Sequence, residues 1–486
     1  MYLGIDLGTS SVKALACNGE GRMLAQAAAA LEVHSRHPHW SEQDPADWWS
    51  ACIQAVRALP PEVREGIRGV GLSGQMHGAV LLDAAERVLR PAILWNDGRS
   101  AQECIELERR EPRLRAITGN LAMPGFTAPK LLWVAQHEPE LFRSVATILL
   151  PKDYLRLRMT GEKLSDMSDA SGTLWLDVGQ RAWSDAMLAA TGLSRSQMPA
   201  LVEGNAAAGW LRPEAAAELG LPQTLVAGGA GDNAASAIGM GVIAPGQAFL
   251  SLGTSGVLFV VTDRFRPAPD QAAHAFCHAL PASWHQMSVL LSATSALDWA
   301  VRLVGMHDVA SAVATASVRG LHRQTPFFLP YLTGERTPHN DPSARGVFFG
   351  LGATTSSADL LVAVLEGVSL AFADGLDTLT RVGGDIGEIS MVGGGARLLP
   401  WVEFLASALN RPLLLRGGGE VAAAVGAARL GRMAVTAEAP ATVCIAPEVT
   451  GVISPATGLA ELMQQRRPQF KDLYQQLKRP FREFSA

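Results

Sequence analysis

The sequence predicts an α/β protein built from two duplicated domains of similar size, with a ligand cleft between them. Three observations carry this expectation. The chain has 486 residues, whereas a single hydrophobic core usually stops growing at roughly 250–300 residues. Short apolar strands alternate with turn signals and helical patterns, as in mixed sheets flanked by helices. Finally, Leu7-Gly8-Thr9-Ser10 recurs as Leu252-Gly253-Thr254-Ser255, almost half the chain away. Each copy follows an apolar strand, precedes a second one and opens its half. Ligand sites favour the interface between such units.

Taken in order, Tyr2–Leu7 reads as a core strand, followed by a Gly-Thr-Ser turn and a second apolar run, Val12–Cys17. Asn18-Gly19 is expected to supply the left-handed residues of a tight hairpin, with Arg22–Ala29 returning as a third strand. Ser41 is a candidate N-cap for a helix that begins near Asp44-Pro45-Ala46-Asp47, with acidic residues and a proline in its first turn. Arg68–Gly74 reads as another short buried strand. Alternating strands and helices continue through Pro199. The first domain is expected over residues 1–243 and the second over 244–486, divided near Gly239-Met240-Gly241-Val242 and the turn Ala244-Pro245-Gly246.

Composition bounds the function. The chain is 48% hydrophobic and 18% charged, a globular profile without the polar, highly charged signature of disorder. Net charge is −5 with the signs interspersed, so no basic stripe marks a nucleic-acid surface. The basic stretch from Gln464 to Arg479 reads as a solvated C-terminal helix. Cys17, Cys52, Cys104, Cys277 and Cys444 form no CxxC pair, which suits a reducing compartment. His274, Cys277 and His278 lack a second ligand pair and read as packed side chains. There is no signal-peptide pattern, and no apolar run reaches the ~20 residues that span a bilayer. A cytoplasmic protein with no membrane partner is expected. The oligomeric state is not readable, and a homodimer stays open.

Several motifs carry chemistry. Gly8-Thr9-Ser10 and Gly253-Thr254-Ser255 each offer a tight turn with exposed N–H groups and two hydroxyls, suited to phosphate or to an ordinary hairpin. Neither has Walker A spacing. Asp6 ends the first strand, where a carboxylate is costly to bury unless paired or bound to metal, so it is a candidate Mg²⁺ contact, direct or through water. Lys13 either adds charge near the phosphates or is a surface lysine. Asp232 follows the glycine-rich Ala227–Gly231, as a helix N-cap or as a base for a substrate hydroxyl. Gln75, Met76 and His77, between Gly74 and Gly78, follow a strand end and fit a polyol. Trp95-Asn96-Asp97-Gly98-Arg99 is either a pocket lining or an Asp97–Arg99 turn with Trp95 packed beneath. Gly393-Gly394-Gly395 is a strand-to-helix turn that could admit a nucleotide's adenine or ribose.

Together these motifs resemble the FGGY carbohydrate kinase family along nearly the whole chain. Ile5–Ser10 is similar to the family's first phosphate motif, Gly125–Trp133 to its first signature, and Gly346–Leu351 running on to Gly367 to its second. Leu252–Gly256 and Gly393–Arg397 stand where nucleotide motifs are expected. The resemblance implies two ribonuclease-H-like, actin-like ATPase domains with Mg·ATP between them. It further implies that His77, Asp232 and Asn233 contact the sugar, with Asp232 as base and Asp6 near the metal. Thr9, Ser10, Lys13 and Thr254 would hold phosphates. The loops Ser73–Gly78 and Trp95–Arg99 are similar to those of the xylulose-specific branch, which implies D-xylulose as the sugar. Glu420, after Gly417-Gly418-Gly419, departs from that branch's pattern on the adenine side.

Overall fold

The computed structural model describes residues 1–382 and 386–485. Two seven-stranded mixed sheets dominate it. The first runs in the order Ala207–Trp210, Leu225–Ala227, Gly69–Gly74, Tyr2–Leu7, Ser11–Cys17 and Met23–Ala30, with Ala230–Gly231 also pairing with Gly69–Gly74. The second runs His274–Cys277, Trp284–Leu290, Gly256–Thr262, Ala248–Leu252, Ile389–Val392, Leu413–Arg416 and Val449–Ile453.

The two sheets share a plan. Each opens with a strand that pairs antiparallel with the next strand in sequence (Tyr2–Leu7 with Ser11–Cys17, Ala248–Leu252 with Gly256–Thr262). Each opening strand pairs on its other side with a parallel strand, Gly69–Gly74 or Ile389–Val392, reached by a long helical crossover. A second parallel strand and an antiparallel edge strand complete that side. The duplication expected from the repeated tetrapeptide therefore extends through the pairing of both sheets.

The central strands are buried and mostly apolar, as strands covered on both faces are, with the half-buried Asp6 and Ser251 near their carboxyl ends. The helix Ala422–Thr436 belongs to the second half of the sequence but lies on the first sheet. A Cβ on Gly4 would fall 1.8 Å from the carbonyl oxygen of Ala424, and one on Gly71 1.8 Å from that of Ala427. Only glycine permits so close a helix–strand approach. The same helix crosses Asp232–Met240 equally tightly, since a Cβ on Gly426 would fall 1.8 Å from the carbonyl oxygen of Ala235.

Three local expectations are corrected. The hairpin after Cys17 turns on Gly21, at φ 80°, while the Asn18 side chain accepts from the N–H groups of Glu20 and Arg22 at 3.1 and 2.8 Å. Asp44, not Ser41, caps the helix Pro45–Arg57, accepting from Ala46 N–H at 2.9 Å. Ser41 is instead buried, its N–H on Asp97 Oδ2 at 2.6 Å. The C-terminal helix Thr457–Ser485 is solvated at Arg479 but not at the start of its basic stretch. Arg466 is buried against Glu366, donating at 2.5 and 2.8 Å, and Arg467 donates to Asp374 and Asp377 at 2.8 Å each. A helix docked by its arginines onto carboxylates of Ser357–Arg381 reads as solvated only because those carboxylates lie about 100 residues away.

Candidate active site

Three parallel strands of the first sheet end side by side: Tyr2–Leu7, Gly69–Gly74 and Ala230–Gly231. Their carboxyl ends deliver the turn Gly8–Ser10, the loop Gln75–Gly78 and the helix that starts at Asp232, the place where open α/β sheets bind ligands. Pairing register sets Asp6 opposite Ser73 on one side and Lys13 on the other. Ser73 Oγ–H donates to Asp6 Oδ1 at 2.6 Å.

Asp232 is the first residue of its helix, and Gly231 is the cap. The N-cap alternative is thus excluded. The Asp232 carboxylate accepts from the backbone and side-chain N–H groups of Asn233 at 2.7 and 2.9 Å. Burial, aided by the neighbouring charge of Asp6, raises its pKa to about 6 despite those hydrogen bonds. Burial also raises the Asp6 carboxyl, with Ser73 and Lys13 opposing. Two mutually repelling carboxylates, neither in an ion pair among the described residues, form a donor set that fits a divalent cation beside phosphate oxygens.

His77 is built into the site by its own backbone strain. It lies in the left-handed region, at φ 70°, a conformation that costs a non-glycine residue of order 1–3 kcal/mol. Its carbonyl is held by Thr127 Oγ–H at 3.2 Å and Lys130 Nζ–H at 2.9 Å, and its Nδ1 meets the Gly172 carbonyl at 2.7 Å. Burial pulls the imidazole pKa down to about 3, so the ring is neutral near pH 7. The carbonyl contact then requires the proton on Nδ1 and leaves Nε2 as an acceptor. Met76 packs against the next strand end, its Sδ 2.9 Å from where a Cβ on Gly231 would sit. Asp232 and the Met76-His77 pair are therefore neighbours.

Thr9 is fixed by a network that the sequence did not reveal. Its hydroxyl donates to Gln75 Oε1 at 3.1 Å and accepts from Trp95 Nε1 at 3.0 Å, and its carbonyl accepts from Gln43 at 2.8 Å. Ser10 and Lys13 are exposed beside it. The Trp95–Arg99 alternatives resolve in part. Asp97 and Arg99 are a buried ion pair at 2.7 Å, also joined to Glu42, with the guanidinium stacked on Trp40. Trp95 is 39% exposed and is not packed beneath that pair.

Behind the loop lies a buried ionic knot that sequence reasoning also missed. Lys152 Nζ meets Asp153, Asp166 and Asp169 at 2.6, 2.7 and 3.2 Å, and Arg156 joins Asp153. Ser168, bonded to Asp166, accepts the Gly231 N–H at 3.1 Å, so the knot braces the floor beneath Asp232. No spacing signal in the chain could have assembled those residues. Lys130 and Thr127 were visible inside Gly125–Trp133, but no role could be read for them. His274 and Cys277 pack as expected, on Asn120 Oδ1 at 3.0 Å and the Val178 carbonyl at 3.5 Å, and His278 is buried.

In the second sheet Gly253, Thr254 and Ser255 form a turn whose side chains make no hydrogen bond among the described residues. Gly393, at φ 87°, and Gly395 lie directly against it, because a Cβ on either would fall 2.8 Å from the Leu252 carbonyl oxygen. Gly393 borders a cavity of about 500 Å³ lined from both sheets, by Met23 and Gln26 of the first and by Gly417–Gly419 and Val421 near the second. Glu420 pairs with Arg397 at its mouth.

Known proteins are similar to this chain in sequence and fold. The chain is 52% identical to the xylulose kinase of Escherichia coli K12, over 98% of this chain and 99% of that protein. It is 54% identical to the xylulose kinase of Klebsiella pneumoniae over 90% of this chain and 91% of that protein. The structure of a xyloylose kinase from Brucella ovis superposes with a TM-score of 0.95 at 51% identity, over 98% of this chain and 99% of that one. No described helix is long and apolar enough to cross a membrane. Family models for the N- and C-terminal domains of the FGGY carbohydrate kinases match residues 1–239 and 248–435, and the chain belongs to that family.

Proposed function

We propose that the protein transfers the γ-phosphoryl group of ATP to the C5 hydroxyl of D-xylulose, giving D-xylulose 5-phosphate. The observation that carries this reading is the placement of Asp232 beside Met76 and His77 at the end of one sheet. The two relatives above 50% identity, both xylulose kinases, support the choice of sugar.

Asp232 accepts the proton of the attacking hydroxyl. Its pKa of about 6 leaves it mostly ionised at pH 7 yet more basic than an ordinary aspartate, which suits a general base. His77 receives a sugar hydroxyl at Nε2, and Met76 packs on the carbon skeleton. Asn233 steadies the Asp232 carboxylate and borders the sugar. The turns Gly8-Thr9-Ser10 and Gly253-Thr254-Ser255, with Lys13, hold the phosphates through N–H groups, hydroxyls and one ammonium. Gly393-Gly394-Gly395 and the adjoining cavity receive the adenosine. A Mg²⁺ ion held by Asp6, directly or through water, would supply charge neutralisation at the phosphoryl oxygens. Residues 1–243 thus furnish the sugar and the base, and 244–486 most of the nucleotide site. A cytoplasmic location belongs to the same proposal and fits five free, buried cysteines.

The test is sugar-dependent ADP release over ketoses, alditols and aldonates. D-xylulose is expected to give the highest kcat/KM. Preference for ribulose, gluconate or a polyol overturns the substrate and keeps the kinase. Vigorous ATP turnover indifferent to every sugar overturns both.

A further inference from the structure

Arg336 differs from the fully engaged cations of the chain, among them Lys130, which donates to the His77 carbonyl. Lys152, Arg99 and Arg466 each sit on a carboxylate. The Arg336 side chain is half-buried and makes no hydrogen bond or ion pair among the described residues. Only its backbone is engaged, the N–H donating to Glu335 Oε1 at 2.8 Å and the carbonyl accepting from Asn340 N–H. Glu335 lies near enough for the two charges to attract, but makes no direct ion pair with the guanidinium. Its Oε1 is taken by two backbone N–H groups, its Oε2 has no partner, and burial pushes its pKa up to about 8. The guanidinium is open to water rather than sealed in, so its donors are free to take a ligand oxygen.

Its location names the ligand. Arg336 Nη2 lies 3.8 Å from where a Cβ on Gly125 would sit, and the Trp95 carbonyl oxygen 2.4 Å from the same point. The residue after Gly125, Phe126, sets its ring 4.7 Å from that of His77 and 5.6 Å from that of His274, and burial first, aided by the nearby Arg336 charge, holds both imidazoles neutral. A donor-only fork from the second half of the chain thus approaches the imidazole whose Nε2 is an acceptor. A donor fork beside an imidazole acceptor matches a carbonyl beside a hydroxyl, the α-hydroxyketone end of a 2-ketose. Chemistry supports the match. Ring closure of a 2-ketopentose uses the C5 oxygen, so a sugar phosphorylated there must be open-chain with its ketone free.

We infer that Arg336 is a sugar-binding residue supplied by the second half of the chain, donating to the ketone oxygen while His77 accepts from the adjacent hydroxyl. The inference rests on the kinase reading above. It makes the sugar a bridge between the two halves, and it makes Arg336 the residue that separates a ketose from its alditol.

The test is calorimetric binding of D-xylulose and xylitol to the wild-type chain, Arg336→Met and Arg336→Lys, with thermal unfolding of each. Loss of a charged hydrogen bond should weaken D-xylulose roughly 10- to 100-fold in Arg336→Met. Xylitol, which has no ketone, should weaken less than about threefold, and Arg336→Lys should recover part of the loss. Equal weakening for both ligands, or none, in variants that melt with the wild type overturns the inference. If Arg336→Met does not fold, Arg336→Lys carries the same comparison. A wild-type chain that phosphorylates a different sugar and does not bind D-xylulose overturns the substrate reading instead.

Discussion

The two phosphate turns carry the same four letters and sit at the same place in two sheets of one plan, yet they are built differently. In the first, Leu7 faces Val12 across Gly8–Ser11, and Gly8 N–H donates to the Ser11 carbonyl at 2.9 Å. In the second, Leu252 faces Gly256 across one residue fewer, and Gly253 N–H donates to the Ser255 carbonyl at 3.2 Å. A one-residue change in a hairpin reverses which side each following residue faces. Counted on from the shared four letters, the exposed Lys13 matches the buried Leu258, while the residue that pairs with Ser251 as Lys13 pairs with Asp6 is the uncharged Val257. The counterpart of Asp6 is Ser251. The Thr254 carbonyl accepts from Ala293 N–H and Ser295 Oγ–H at 2.9 Å each, as that of Thr9 accepts from Gln43, but the Thr254 hydroxyl has no partner among the described residues. Duplication has preserved a backbone cradle twice and left the charged chemistry in one copy. Backbone N–H groups come with the turn, whereas side-chain chemistry depends on which residues the rest of that half brings near.

That asymmetry can be broken most severely at Asp232. Asp232→Asn should lower kcat by about 10³-fold or more, within the range attributed to general-base catalysis, with a smaller change in sugar affinity measured by calorimetry. In the wild type, kcat should fall as pH drops through about 6, where the base is protonated. The stability sign is opposite. A carboxyl whose folded pKa is raised loses stability as pH rises from its ordinary value through 6. Asp232→Asn should therefore melt higher than wild type at pH 7 while being inactive.

Next in size is Asp6. Asp6→Asn should reduce kcat by roughly 10²-fold and raise the Mg²⁺ concentration needed for half-maximal rate, in line with the loss of one ligand carboxylate. Adding Ser251→Asp, which restores a carboxylate at the equivalent position of the other sheet, should recover nothing. Recovery would mean that the halves are chemically interchangeable.

The smallest effect separates the two threonines. Thr9→Val orphans Trp95 and Gln75 and should cost about 1–2 kcal/mol in chemical denaturation. Thr254→Val, at an exposed hydroxyl without a partner, should stay within about 0.5 kcal/mol. Both should raise KM for ATP several-fold. Equal stability losses would contradict the difference between the turns.

Much of the site was legible because local chemistry announces itself. Asp6 at a strand end, Gly74–Gly78 after a strand and Asp232 opening a helix are adjacent-residue patterns. The Asn18-Gly19 and Ser41 assignments failed within the same logic, since Gly21 and Asp44 stood two or three residues away with equal local credentials. What held Thr9 and His77 was not legible, because Gln43, Trp95, Thr127, Lys130 and Gly172 converge from distant segments.

By itself the sequence determined the strands, the duplicated turn and the residue types at each strand end, because these follow from alternation, glycine and charge at short range. The tertiary structure alone decided that Ala422–Thr436 covers the first sheet, that Arg466 is buried, and that Arg336 reaches His77. Those depend on packing between residues about 100 to 420 positions apart. No local propensity encodes which glycine a remote helix backbone will press against, or which carboxylate a remote arginine will find.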